Sequence, residues 1–148
     1  ASWDRQVNAF QMLTAYAGKK GVSVFLETCK ATTTNLIVTS GQLSRFIREV
    51  GAENLFGLSD TDQMAVAGGN IDDYMDHLGE KYRFVHFSDA GHTIPGTGGL
   101  PMKSYYDTLV RRGYNGWCSC ELCSRGYYLD PDQATDAYIG FLKNELGR

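Results

Sequence analysis

The chain has 148 residues, 43% hydrophobic and 21% charged, enough for one ordinary globular domain and too apolar for a disordered one. A formal net charge of −3 gives no general attraction to nucleic acid or an anionic membrane, and no apolar run reaches membrane-spanning length. Four cysteines, three of them crowded at Cys118, Cys120 and Cys123, do not make a spaced disulfide framework, and no signal-peptide pattern opens the sequence, so free thiols and a cytoplasmic protein are expected.

From Ser2 to about Ala17, apolar residues Trp3, Val7, Phe10, Leu13 and Ala17 recur at helical spacing, and Gly18-Lys19-Lys20-Gly21 ends the segment. Val22 to Glu27 reads as a strand, followed by a threonine-rich loop to Thr39. Ser40 then caps a helix with Leu43, Phe46, Ile47 and Val50 on one face and Gly51 as its stop. The second unit is a strand from Leu55 to Asp60, a Gly- and Ala-rich loop to Asn70, and a helix bearing Ile71, Tyr74, Met75 and Leu78. The third is a strand from Tyr82 to Ser88, a loop from Asp89 to Leu100, and a helix that Pro101 starts, with Met102, Tyr105 and Leu109 inward and Gly113 at its end. The fourth is a strand from Gly116 to Glu121, a loop to Leu129, and a helix capped by Asp130. That last helix has Pro131 at its first position, Gln133 completing a capping box, and a stripe of Ala134, Tyr138, Phe141 and Leu142.

Strands alternating with helices imply parallel strands joined by right-handed crossovers, with every strand C-terminus on one rim. Each strand delivers a polar, ligand-type side chain there: Glu27, Asp60, His86 and Glu121. Alternation puts Phe84, His86 and Ser88 on one face of the third strand and Val85 and Phe87 on the other. The steps from 27 to 60, 60 to 86 and 86 to 121 are 33, 26 and 35 residues. Their mean matches the period of about 31 residues in a (β/α)₈ barrel of about 250. An open doubly wound sheet tolerates the same period but spreads its strand ends along a line, at about 4.8 Å per strand, instead of converging them. The expected fold is therefore α/β, half of a (β/α)₈ barrel over residues 1–148 as one partial domain that opens on a helix.

The order Glu, Asp, His, Glu at consecutive strand ends resembles the C-terminal half of the xylose isomerase-like barrels. Pro95-Gly96-Thr97-Gly98-Gly99 after the His strand and Gly113-Tyr114-Asn115-Gly116-Trp117 before the last Glu add to the likeness. These barrels are sugar phosphate isomerases and epimerases, including ketose 3-epimerases, hydroxypyruvate isomerase and inosose dehydratases. The resemblance implies that Glu27, Asp60, His86 and Glu121 hold one divalent metal, and that Glu27 and Glu121 also form the acid/base pair on opposite faces of the substrate. Three carboxylates and one imidazole suit Mn²⁺, with Mg²⁺ or Co²⁺ as alternatives, better than a thiolate-seeking ion. The expected activity is isomerisation or epimerisation of a sugar or sugar phosphate through an enediolate.

Two positions depart from the family. Gln63 stands where many members carry a His three residues after the metal Asp, and His92 stands where several ketose epimerases carry an Arg six residues after the metal His. Gln63, His92 and Trp117 are the candidate substrate contacts, with His92 read as a loop residue near the mouth and Trp117 as either a stacking platform or a barrel filler. A related dehydratase, an endonuclease-like branch and a noncatalytic half-barrel are the alternatives. The acidic composition and a total of three histidines, His77, His86 and His92, weigh against a multi-zinc nucleic-acid site.

Four strands cannot close a barrel, so a homodimer or a missing N-terminal half is expected to cover the two edges. Cys118 and Cys120 share the strand face opposite Glu121 and read as inert thiols of the helix side. The Gly96–Gly99 loop either cradles a phosphate through backbone N–H groups or forms a flexible rim. Lys103, Arg111 and Arg112 read as a solvated helix face, and Phe25 and Phe56 as packing residues.

Overall fold

The computed structural model describes residues 2–123 and 125–147. Helix α1 (Ser2–Gly18) leads into β1 (Val24–Glu27), α2 (Ser40–Val50), β2 (Leu55–Asp60), α3 (Thr61–Val66) and α4 (Ile71–Leu78). A short turn of 3₁₀ helix precedes β3 (Tyr82–His86), and α5 (Met102–Arg111), β4 (Trp117–Ser119), α6 (Arg125–Leu129) and α7 (Pro131–Glu145) complete the order. The four strands lie parallel in the order β1-β2-β3-β4, and the sheet is not closed into a barrel. Among the described residues no helix is long and apolar enough to cross a membrane.

One face of the sheet packs under the helices. Leu55, Val85 and Phe87 point into this layer and meet Leu43, Phe46 and Ile47 of α2, Ile71, Tyr74 and Leu78 of α4, and Met102 and Leu109 of α5. The alternation that puts these residues inside turns Phe25, Phe56 and Phe84 to the other face, where Phe25 stacks on Phe56 at 5.6 Å and meets Phe84 edge-on at 5.4 Å. Tyr82 breaks the alternation. A register shift between Gly57 and Leu58 leaves Tyr82 paired with Gly57 and Phe84 with Leu58, so Tyr82 stays under the helices beside Tyr74.

Local chemistry redraws several expected boundaries. Thr39, not Ser40, caps α2, in a full capping box with Gln42, because the Ser40 hydroxyl is held 2.8 Å from His77 Nδ1 on α4. The expected Gly- and Ala-rich loop after β2 contains a helix, α3, capped by Asp60, which accepts a hydrogen bond from Gln63 N at 2.8 Å. The expected loop to Leu129 likewise contains α6. Asp130 caps α7 through Gln133 N, but its own N–H donates to the carbonyl of Gly126, the second residue of α6, and so is not left for the Gln133 side chain that the expected box requires. On α1, Leu13 is exposed and Thr14 takes the buried place, its hydroxyl bonded to Phe10 O, because the helix packs chiefly on α2, where Trp3 and Phe10 meet Phe46 edge-on. Arg111 and Arg112 are not simply solvated: they reach α4, with Arg112 Nη1 2.7 Å from Asp72 and Arg111 Nη2 3.2 Å from the same carboxylate, while Lys103 pairs with Asp107 on its own helix.

Candidate metal centre

Glu27, Asp60 and His86 are the last residues of β1, β2 and β3, and Glu121 follows β4 by two. The register sets Asp60 beside His86 and His86 beside Ser119, so the four side chains rise from one rim on the open face. One ligand atom from each lies within 4.8 Å of all the others. His86 Nδ1 is 2.9 Å from Glu121 Oε2 and 3.5 Å from Glu27 Oε1.

The rim is stitched above the strands by hydroxyls. Ser88 N donates to Thr61 Oγ1 at 2.9 Å, and the Thr61 hydroxyl donates back to Ser88 O. Ser88 Oγ then donates to Glu121 O at 2.8 Å and accepts from Glu121 N at 3.0 Å. This ladder of Thr61 and Ser88 replaces strand pairing beyond His86, which is why β3 and β4 end before the expected Ser88 and Glu121. It also fixes the backbone of Glu121 relative to His86.

Two buried polar atoms of the centre make no aligned hydrogen bond: Asp60 Oδ2 and His86 Nδ1. A native fold rarely leaves such atoms unpaired, because each costs about 1–3 kcal/mol. Burial raises the Asp60 carboxyl to about 6, with the Glu27 and Glu121 charges adding to the rise and the Gln63 N–H and His92 opposing it. His86 is raised as well, first by its contact with Glu27, against the effect of burial, and further by the charges of Glu121 and Asp60. A divalent ion held by these four residues would relieve all of this at once. The donor set of three carboxylates and one imidazole therefore fits a hard to intermediate cation.

Beside this quartet a second group converges: Asp60, Asp62 and His92. His92 adopts a left-handed conformation, φ 55°, that folds its ring inward from the loop after β3, leaving it 15% exposed. Asp62 was not singled out by the sequence. Gln63 lies at the start of α3, and its Oε1 accepts from Lys30 N at 2.9 Å, tying together the loops after β1 and β2. Trp117 pairs in register with Phe84 and, with Ser23, Phe25, Phe56 and Arg83, lines a shallow cavity toward the N-terminal ends of the strands. The structure thus brings Glu27, Asp60, His86, Glu121 and His92 together and leaves Trp117 apart from them.

The glycine loop is closed around a residue of its own. Asp89 is fully buried, and its carboxylate accepts from Ala90 N and Gly96 N at 2.8 Å and from Leu100 N at 2.7 Å. Burial pushes this carboxyl up, but the N–H groups of Leu100, Ala90, Gly98 and Gly96 outweigh burial and hold it below the usual carboxylate range. Gly98 passes so close that a Cβ there would lie 2.6 Å from Ala90 N. Asp89 therefore fills the nest that the sequence offered to a phosphate. All four cysteines are free, and among the described residues neither group of potential ligands contains one.

A family model described as a xylose isomerase-like TIM barrel matches residues 1–145. Fructoselysine 3-epimerase of Escherichia coli O157:H7 is 28% identical over 125 residues, 81% of this chain and 46% of that protein. L-ribulose 3-epimerase of Mesorhizobium japonicum is 28% identical over 112 residues, 76% of this chain and 38% of that protein. The chain thus spans about half the length, or less, of these curated relatives. The structure of D-allulose 3-epimerase from Methylomonas sp. superposes with a TM-score of 0.81 at 24% identity, covering 95% of this chain and 55% of that one. With four parallel strands, their helices and a family match along almost all of its length, the chain belongs to the xylose isomerase-like TIM barrel family.

Proposed function

We propose that the intact protein is a divalent-metal-dependent isomerase or epimerase of sugars or sugar phosphates, with Mn²⁺ as the favoured ion. The observation that carries this reading is the convergence of four ligand side chains from four consecutive strand ends, two of them presenting buried atoms without a hydrogen bond. When bound, the ion polarises a ketose carbonyl and its neighbouring hydroxyl and lowers the cost of an enediolate. Asp60 and His86 set the geometry of the centre. One of Glu27 and Glu121 takes the proton from the carbon beside the carbonyl, and the other returns a proton to that carbon from the opposite face. The free edges of β1 and β4 are covered in the working protein by a further half-barrel, either from the rest of a longer chain or from a second copy.

The test has two parts. Native mass spectrometry of the 16.4 kDa chain with and without Mn²⁺ is expected to show one equivalent of metal retained, and Asp60→Asn is expected to lose it. Proton exchange from a panel of ketoses in deuterated water, run on the metal-loaded protein, is expected to vanish in Glu121→Gln. Exchange that survives this substitution removes Glu121 from the acid/base pair, and a chain that takes up no metal removes the centre.

A further inference from the structure

We propose that Tyr74 is a positioning residue of the metal centre: from α4, on the helix side of the sheet, its hydroxyl holds Thr28 and so aims Glu27 on the opposite side. The assignment rests on the metal-binding role proposed above for Glu27, Asp60, His86 and Glu121.

The four ligands are not held equally. His86 ends β3 and Asp60 ends β2, each with a strand on both sides, and Asp60 is anchored again through Gln63 N. Glu121 follows the edge strand β4, but the Ser88 hydroxyl holds both its N–H and its carbonyl. Glu27 ends the other edge strand, β1, which is four residues long and pairs with β2 alone. The later ties of that loop, Cys29 N to Ile37 O and Lys30 N to Gln63 Oε1, are bonds of the backbone farther along, which set where the loop runs and not how Glu27 is turned.

The residue that does turn it is Thr28. Successive side chains of an extended chain point to opposite faces, so pinning Thr28 under the helices fixes the rotation that presents Glu27 to the open face. Thr28 and Tyr74 are each 1% exposed, and their hydroxyls are hydrogen-bonded to each other. Opening such a pair is costly, because each group loses its partner without reaching water. The phenol cannot follow a moving strand, since its ring packs against that of Tyr82 at 5.5 Å within the apolar layer. Burial pushes the Tyr74 hydroxyl up to about 12, the Thr28 hydroxyl opposes this, and the charges of Asp60 and Glu27 add to it, so it stays a neutral hydrogen-bonding group beside an acidic centre. Tyr82 offers a matched case. Its hydroxyl pairs in the same way with Ser59, the residue before Asp60, but Asp60 already has Gln63 N and two neighbouring strands to hold it.

The test is Mn²⁺ affinity by titration calorimetry for the folded wild type, Tyr74→Phe and Tyr82→Phe, where each substitution deletes one buried hydroxyl and keeps the ring. Both variants are expected to lose similar stability in urea melts, but only Tyr74→Phe is expected to lose Mn²⁺ affinity, about tenfold. Thr28→Val is expected to match Tyr74→Phe, and Thr28→Ser, which keeps a hydroxyl, to retain the wild-type affinity. The double variant Tyr74→Phe/Thr28→Val is expected to lose no more than either single one, since both remove the same bond. Unchanged affinity in Tyr74→Phe, or an equal fall in Tyr82→Phe, overturns the assignment and leaves Tyr74 a packing residue. Should Tyr74→Phe fail to fold, the comparison of Thr28→Val with Thr28→Ser decides in its place, and equal affinities overturn the assignment. A wild type that takes up no Mn²⁺ overturns the metal centre itself, so the two levels fail separately.

Discussion

On the helix-covered face of the sheet, Leu55, Tyr82, Val85 and Phe87 are at most 3% exposed, whereas on the opposite face Phe25, Phe56 and Phe84 remain part-exposed and Trp117 is 73% exposed. Both faces are rich in large apolar side chains, so composition does not separate them. What differs is what lies above. The covered face has its second layer within the chain, and that layer supplies the hydrophobic stabilisation of the fold. The open face carries an aromatic floor and, at its rim, a polar cluster in which two buried atoms, Asp60 Oδ2 and His86 Nδ1, make no aligned hydrogen bond within the described residues. Stability and chemistry are thus assigned to opposite sides of the same strands.

The largest expected effect tests the covered side. Phe46→Ala removes a ring that touches both Trp3 and Phe10, and should cost about 3–5 kcal/mol in urea unfolding. Phe56→Ala on the open face should cost on the order of 1 kcal/mol, because part of that ring is already in water. Equal losses would erase the distinction between the faces.

Asp60→Asn should separate stability from chemistry in a single residue. Metal affinity, read by calorimetry, should fall by about two orders of magnitude, whereas the metal-free protein should become more stable at neutral pH. The sign follows from the raised carboxyl. A folded-state value of about 6 against an ordinary 3.8 means that the folded chain binds the proton more tightly, so metal-free stability rises as pH falls from about 6 toward 3.8. His86, also raised, contributes stability that is present below its ordinary value and lost as pH rises through its folded one. In Asp60→Asn the slope between about 6 and 3.8 due to Asp60 should disappear from a pH series of urea melts.

Ser88→Ala probes the stitch between the two sides. Removal of both hydroxyl bonds to the Glu121 backbone should lower metal affinity about tenfold and stability by about 1 kcal/mol. The smallest effect belongs to Trp117→Ala, which should change the stability of the isolated chain by no more than about 0.5 kcal/mol. The same substitution should cost much more once a further half-barrel covers the open face, which makes it a direct gauge of that cover.

The sheet order and the strand-end positions of Glu27, Asp60, His86 and Glu121 could be read from sequence because they rest on periodicity and on a repeat of about 31 residues. Helix α3 was missed because Ala67, Gly68 and Gly69 dominated the reading, although Asp60 followed three residues later by Gln63 is itself a helix-start signal. The choice between Thr39 and Ser40 as cap depended on His77, 37 residues away in sequence from Ser40. His92 could be placed only as a loop residue near the mouth, and Asp62 was beyond reach, for a similar reason. Nothing local announces that the loop after β3 will take a left-handed turn and drive an imidazole toward carboxylates contributed by the end of β2, the start of α3 and the segment after β4. Asp89 could be seen to end an apolar run, but its three short bonds to Ala90, Gly96 and Leu100 exist only once the loop has closed.

That closure bears on how the loop moves. A segment wound around one carboxylate loses its anchors together, since turning the Asp89 side chain outward frees Ala90, Gly96 and Leu100 in the same event. The loop should therefore behave as a latch with two positions, not as a hinge with a range of angles. When it is shut, the imidazole of His92, three residues along from the anchor, is aimed as accurately as the anchor itself.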